Sequence, residues 1–158
     1  MDLNETIKNL INEISHGNIE VYNEFSVQFE LAMYLREILP FNFKIQLERN
    51  IEYFNLDKNE FIKKEMDIVV FDNSLQKKHC IEIKYPTNGQ YPEQMFKISK
   101  DVAFIEQLVQ SGFNKSYSLV LANSRPFYMD KGGAEIYEMF RENKEIKGEV
   151  NKPTGKKD

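Results

Sequence analysis

The stretch "EMDIVVF", residues 65–71, constrains the fold more than any other part of the chain. It is a nearly continuous apolar run rich in β-branched residues, the pattern of a strand covered on both faces. Such a strand needs a sheet around it and helices on either side, so the chain is expected to be α/β. Inside the run sits Asp67, between Met66 and Ile68. An unpaired carboxylate there would cost several kcal/mol, so Asp67 must be paired, protonated or bound to a metal.

The flanking segments supply the rest of the architecture. Leu3, Ile7, Leu10, Ile11 and Ile14 make a helical stripe that Gly17-Asn18 breaks. A second helix runs from about Val21 or Ser26 to Leu39, and Pro40 stops it. Val27, Leu31, Tyr34 and Ile38 share one side, while Phe25, Phe29 and Met33 lie opposite. Apolar on two faces, this helix is either sandwiched inside the fold or shared with a partner chain, which predicts a homodimer. "FKIQLERNI" (43–51) alternates at strand period, with Ile45 and Leu47 on one face and Lys44, Gln46 and Glu48 on the other. "DNSLQKK" is a turn and "HCIEIKY" a third strand. Residues 93–109 carry a helical stripe of Met95, Ile98, Val102, Ile105 and Val109. "SYSLVLAN" (116–123) is a fourth strand, and Gly132-Gly133 leads into a last helix ending near Glu142. The expected fold is a mixed four-stranded sheet flanked by helices: an antiparallel meander plus a parallel strand after a helical crossover. Residues 1–148 read as one domain (helix 1–16, core 20–123), with 149–158 a flexible tail.

At 158 residues, 41% apolar and 13% aromatic, the chain suits one globular domain. No apolar run approaches the ~20 residues that cross a bilayer, and "MDLNETIKNL" lacks the basic start and apolar core of a secretory signal. One cysteine, Cys80, allows no internal disulfide and no zinc cluster, so a cytoplasmic setting is expected. A net charge of −4 argues mildly against a broad nucleic-acid surface, though an acidic protein can hold a basic cleft. Lys63-Lys64, Lys77-Lys78 and Lys97 with Lys100 are local candidates, each more often a solvated face.

Chemistry concentrates in "CIEIKYP", residues 80–86: Ile81 and Ile83 take one face of a strand, Glu82 and Lys84 the other. A simple hairpin across 73–78 sets Asp67 opposite Lys84 and diagonal to Glu82, at about 5 and 7 Å. Two carboxylates so spaced both reach one hard cation, and Mg²⁺ takes one or two carboxylates plus waters and phosphate oxygens. Glu30, at the edge of the Val27–Ile38 stripe, is a fourth candidate. Blander readings stand beside these. Glu and Lys alternating with Ile also describe a half-wet strand, Asp67 suits a structural ion pair equally well, and Glu30 can reach solvent. His16 and His79 read as surface or capping residues, and Cys80 as a small buried hydrophobe. Gly132-Gly133 after Asp130 reads as an ordinary helix entry, and Glu48 as part of a wet face bordering the cleft. No Walker, Rossmann or serine-nucleophile pattern occurs.

A helix carrying Glu30, Asp67 in the second strand, Glu82-Ile83-Lys84 in the third, then helix and strand, resembles the PD-(D/E)xK nuclease superfamily and its restriction-endonuclease-like fold. The resemblance covers about residues 20–123. It implies that Asp67 and Glu82 are metal ligands, that the Ile83 carbonyl completes the metal shell, that Lys84 is the catalytic lysine and that Glu30 is the accessory helix acid. It also implies Mg²⁺ (or Mn²⁺) as cofactor and DNA as substrate, RNA being left open, in a phage, mobile-element or defence setting. Met66 stands where the family's name has proline, a residue the superfamily often lacks. The alternative is a non-catalytic member that binds nucleic acid or protein. A third reading is an ion-pair cluster on an unrelated α/β fold.

Overall fold

The computed structural model describes residues 3–87, 89–129, 135–141 and 145–153. Helices α1 (Leu3–Ser15) and α2 (Glu24–Ile38) precede strands β1 (Phe43–Asn50), β2 (Glu65–Asp72) and β3 (Lys78–Lys84). Helix α3 (Tyr91–Gln110), strand β4 (Tyr117–Val120), and short helices α4 (Arg125–Tyr128) and α5 (Glu135–Phe140) follow. One sheet has the order β1-β2-β3-β4, antiparallel for the first two pairs and parallel for β3 with β4. The fold is therefore α/β with a mixed four-stranded sheet, as the element order implies. Among the described residues no helix is long and apolar enough to cross a membrane.

The apolar run in β2 is buried on both faces. Ile68 and Val70 join Ile81 and Ile83 of β3 against Leu3, Ile7 and Leu10 of α1 and Val27, Leu31 and Leu35 of α2. Val69 and Phe71 join Cys80 on the opposite face, under Phe104 and Leu108 of α3. Each of these fully buried side chains contributes about 1.5–3 kcal/mol of transfer free energy. Helix α2 starts at a reciprocal cap, in which the Ser26 N–H donates to Asn23 Oδ1 and the Asn23 N–H to Ser26 Oγ. It is not sandwiched: Phe25, Phe29 and Met33 are exposed.

Three expectations are corrected. The β2–β3 turn is tightened by the Asp72 N–H donating to the Lys77 carbonyl, which pairs Phe71 with Lys78 and Ile68 with Ile81. Extending that register puts Glu82, not Lys84, opposite Asp67, with Lys84 diagonal. In α3 the buried positions are Met95, Ile98, Ser99, Asp101, Phe104, Ile105 and Leu108, whereas Val102 is half-buried and Val109 exposed. His79 is buried, its Nδ1 2.6 Å from the Lys115 carbonyl, rather than on the surface. Beyond α3, Met95 and Ile98 pack with Phe127 and Ile136, and Val150 of the expected tail packs against them. Asp130, Gly132-Gly133 and Glu142 lie outside the described residues.

Candidate functional site

At the end of β2 nearest Glu65 the backbone ladder gives way to side chains. On the β1 side, Glu48 takes a left-handed backbone conformation (φ +48°), which costs a non-glycine residue on the order of 1–2 kcal/mol. Paired residues flank it, Leu47 with Ile68 and Arg49 with Met66. Buried Gln28 of α2 fills the gap, its Nε2 donating to the Asp67 carbonyl (2.5 Å) and to Glu48 Oε1 (2.8 Å). On the β3 side the Ile83 N–H donates to Asp67 Oδ2 (2.7 Å) and the Asp67 N–H to Glu82 Oε1 (3.3 Å). Each carboxylate thus replaces a backbone acceptor of the facing strand, which fixes both side chains where β2 and β3 meet.

The Glu82 face is not wet. Glu82 is 1% exposed and Asp101, arriving from α3, is 3% exposed. Lys63, from the loop before β2, bonds Glu82 Oε2 and donates to Asp101 Oδ1 at 2.9 Å. The Lys84 ammonium lies 2.7 Å from the Ile83 carbonyl, 3.2 Å from Asp101 Oδ2, 3.3 Å from Glu24 Oε1 and 3.9 Å from Asp67 Oδ2. Four carboxylates (Glu24, Asp67, Glu82, Asp101) surround two ammonium groups, so the fully ionised cluster carries two excess negative charges.

Its electrostatics follow. Burial, with the Asp67 charge second, pushes the Glu82 carboxyl up to about 7 even though Lys63 pulls it down. Burial also raises Asp67, against the Ile83 N–H and both lysines. For Lys84, burial favours the neutral amine, but Asp101, Asp67 and Glu24 outweigh it and the pKa ends above the ordinary lysine value. Lys63 is raised likewise, burial being overcome by Glu82 and then Asp101. Burial drives the Cys80 thiol well up, so it is a neutral donor, 3.4 Å from Glu82 Oε1.

Of the residues singled out in the sequence, Asp67, Glu82, Ile83 and Lys84 are brought together. Glu30 is not: it lies half-buried beside Ile19, Met33, Tyr34 and Arg36, roughly 200° round the helix from Gln28. The α2 side chains that reach the cluster are Glu24 and Gln28. Asp101 and Lys63 are further members: the sequence reading passed over Asp101 and named Lys63 only with Lys64 as a basic pair. Asp101 had a signal, since it falls three residues after Ile98 and four before Ile105, a carboxylate inside a buried stripe. Lys63 had none that separates it from Lys64.

Mg²⁺ or Mn²⁺ calls for hard oxygen donors, and every acceptor here is a carboxylate or carbonyl oxygen. Asp101 Oδ2 is buried and accepts no hydrogen bond; Lys84 attracts it from outside bonding geometry. A buried oxygen that is ion-paired but accepts no hydrogen bond fits a cation. Among the described residues no three of His, Cys, Asp and Glu stand ready to hold an ion together, and the lysines fill the space between the acids. No protein-family model, curated protein or solved structure matches the chain.

Proposed function

We propose that this chain is a metal-dependent nuclease of restriction-endonuclease-like fold that hydrolyses phosphodiester bonds of DNA. The observation that carries the reading is the meeting of Asp67, Glu82 and Lys84 across β2 and β3, with two of the three only partly shielded from solvent. Asp67, Glu82 and the Ile83 carbonyl would hold Mg²⁺ or Mn²⁺, with Asp101 at hand as a third acid. An ion there would polarise a phosphoryl oxygen and lower the pKa of an attacking water. Lys84 stays charged, so it orients the phosphodiester and offsets charge building on the pentacovalent phosphorus rather than acting as the base. Proton release from the water then falls to solvent. A buried neutral thiol suits a reducing compartment such as the cytoplasm. Two copies joined along Phe25, Phe29 and Met33 would offer two sites to the two strands of a duplex.

One observation favours a second reading, a self-neutralised cluster in a non-catalytic binding module: Lys63 already bonds Glu82. Incubating purified protein with plasmid, single-stranded DNA and RNA, with Mg²⁺ or Mn²⁺ and an Asp67→Ala control, separates the two. Nicking by the wild type alone supports the nuclease. Binding without cleavage under either metal supports the module.

A further inference from the structure

We propose that Lys63 is a built-in counter-cation of this site, seated where a divalent ion would go and displaced when one binds; this rests on the metal-site reading above. Its ammonium bonds Glu82 and Asp101 at once, so it bridges two buried carboxylates. The other Glu82 oxygen, Oε1, is held by the fold itself, through the Asp67 N–H and the Cys80 thiol. Oε2 is the oxygen left for an ion, and Lys63 has it. Two cations on one oxygen would lie within a few ångströms of each other, with Lys84 as a third nearby, and like charges at that range repel strongly.

The two lysines differ in their freedom to leave. Lys84 ends β3, and its ammonium rests on the Ile83 carbonyl and beside Asp101, Glu24 and Asp67. Lys63 extends from a connecting segment whose neighbours Ile62 and Lys64 are exposed, and its own side chain keeps a path to solvent. The Ile62 N–H donates to Gln107 Oε1 (3.1 Å) and Gln107 Nε2 donates to the Glu60 carbonyl (3.2 Å), which ties that segment to α3 without involving Lys63. Release of the ammonium therefore takes side-chain rotation, not unfolding of the loop. Charge favours the exchange as well. Fully ionised, the cluster carries two excess negative charges, so trading a monovalent ammonium for a divalent ion brings it closer to neutrality.

The test measures Mn²⁺ binding by electron paramagnetic resonance, with cleavage left out of the readout. Lys63→Met removes the ammonium, which also lies 5.6 Å from the Phe104 ring centroid, and keeps an unbranched apolar side chain in its place; it should bind Mn²⁺ about tenfold tighter or more, with Lys63→Arg near wild type. In the wild type, amine labelling read by mass spectrometry should find Lys63 shielded without ion and reactive with saturating Mn²⁺. Equal or weaker Mn²⁺ binding by Lys63→Met overturns the displacement while leaving the metal site intact. No Mn²⁺ binding by wild type or variant overturns both. If Lys63→Met does not fold, the labelling decides: Lys63 reactivity unchanged by saturating Mn²⁺ sinks the proposal.

Discussion

The metal-free protein should lose stability as pH rises from about 4.5 to 7, the reverse of what an ordinary salt-bridged acid produces. Glu82 is the cause. Its pKa lies at about 7 in the fold against an ordinary 4.5, so within that interval the folded chain holds a proton that the unfolded chain has released. A raised acid contributes its stability fully below the unfolded value, and that contribution is gone once pH has climbed through the folded one. The interval corresponds to roughly 3 kcal/mol, a large share of a typical domain's stability. Asp67 is raised too and acts with the same sign. Lys63 and Lys84 are raised from 10.5, so they are protonated in both states throughout the window and add no slope. Urea unfolding in EDTA at pH 5 and pH 7.5 measures the effect. Glu82→Gln, which keeps the shape and removes the titration, should flatten most of it. Wild-type stability that is level or rising over this range, or a Glu82→Gln slope equal to wild type, would refute the reasoning.

Three further outcomes are expected. Lys84→Ala should still bind Mn²⁺ while cleavage falls about 100-fold or more, since one positioned charge is lost from the transition state; undiminished cleavage removes Lys84 from the chemistry. Mg²⁺ or Mn²⁺ at about 100 times its Kd should raise Tm by roughly 5–10 °C in the wild type, and Asp67→Ala with Glu82→Ala should abolish the rise. Phe25 (65% exposed), Phe29 (48%) and Met33 (55%) on one side of α2, with Tyr22 (69%) just before the helix, present about 500 Å² of surface, close to the apolar share of an ~800 Å² dimer face. Light scattering should accordingly give a dimer that Phe29→Lys converts to monomer, and a wild-type monomer at high concentration ends the idea.

Much of the fold was legible because its signals are periodic. The run around Ile68 and Val70 demanded two covered faces, and α1 with α2 on one side and α3 on the other supply them. In helix α3 the expected stripe was partly right: Met95, Ile98 and Ile105 are buried, but Val102 and Val109 were read in place of Phe104 and Leu108, which are equally apolar and lie on a neighbouring face. The polar Asp101 marks the buried side, where it meets Lys63 and Lys84. Glu30 was singled out because it edges the apolar stripe; Glu24 drew no notice, since an acid in a first helical turn needs no partner beyond the helix dipole. Glu24 nevertheless lies 3.3 Å from Lys84, a contact set by where the helix starts relative to the end of β3. Nothing local to the sequence encodes that offset.

The register error in the β2–β3 hairpin left the site recognisable, for a reason general to strands. Moving the pairing by two residues changes which side chains face each other but leaves each on its own side of the sheet; a slip of one would have sent Asp67 to the α2 side. The same parity bears on why the charges are there. Val69, Phe71, Cys80, Phe104 and Leu108 already form a packed apolar layer between sheet and α3, and Asp67, Glu82, Lys84 and Asp101 continue that layer toward the end of the sheet. Apolar residues of similar volume would extend it without desolvating three carboxylates, and replacing buried ion clusters in that way is often neutral or stabilising. Packing alone therefore does not call for acids here. A strained Glu48, a buried Gln28 holding the Asp67 carbonyl, and an Asp101 oxygen that is ion-paired but accepts no hydrogen bond all lie at this same end of the sheet. Local costs gathered at one place are what a binding or catalytic constellation imposes on a fold.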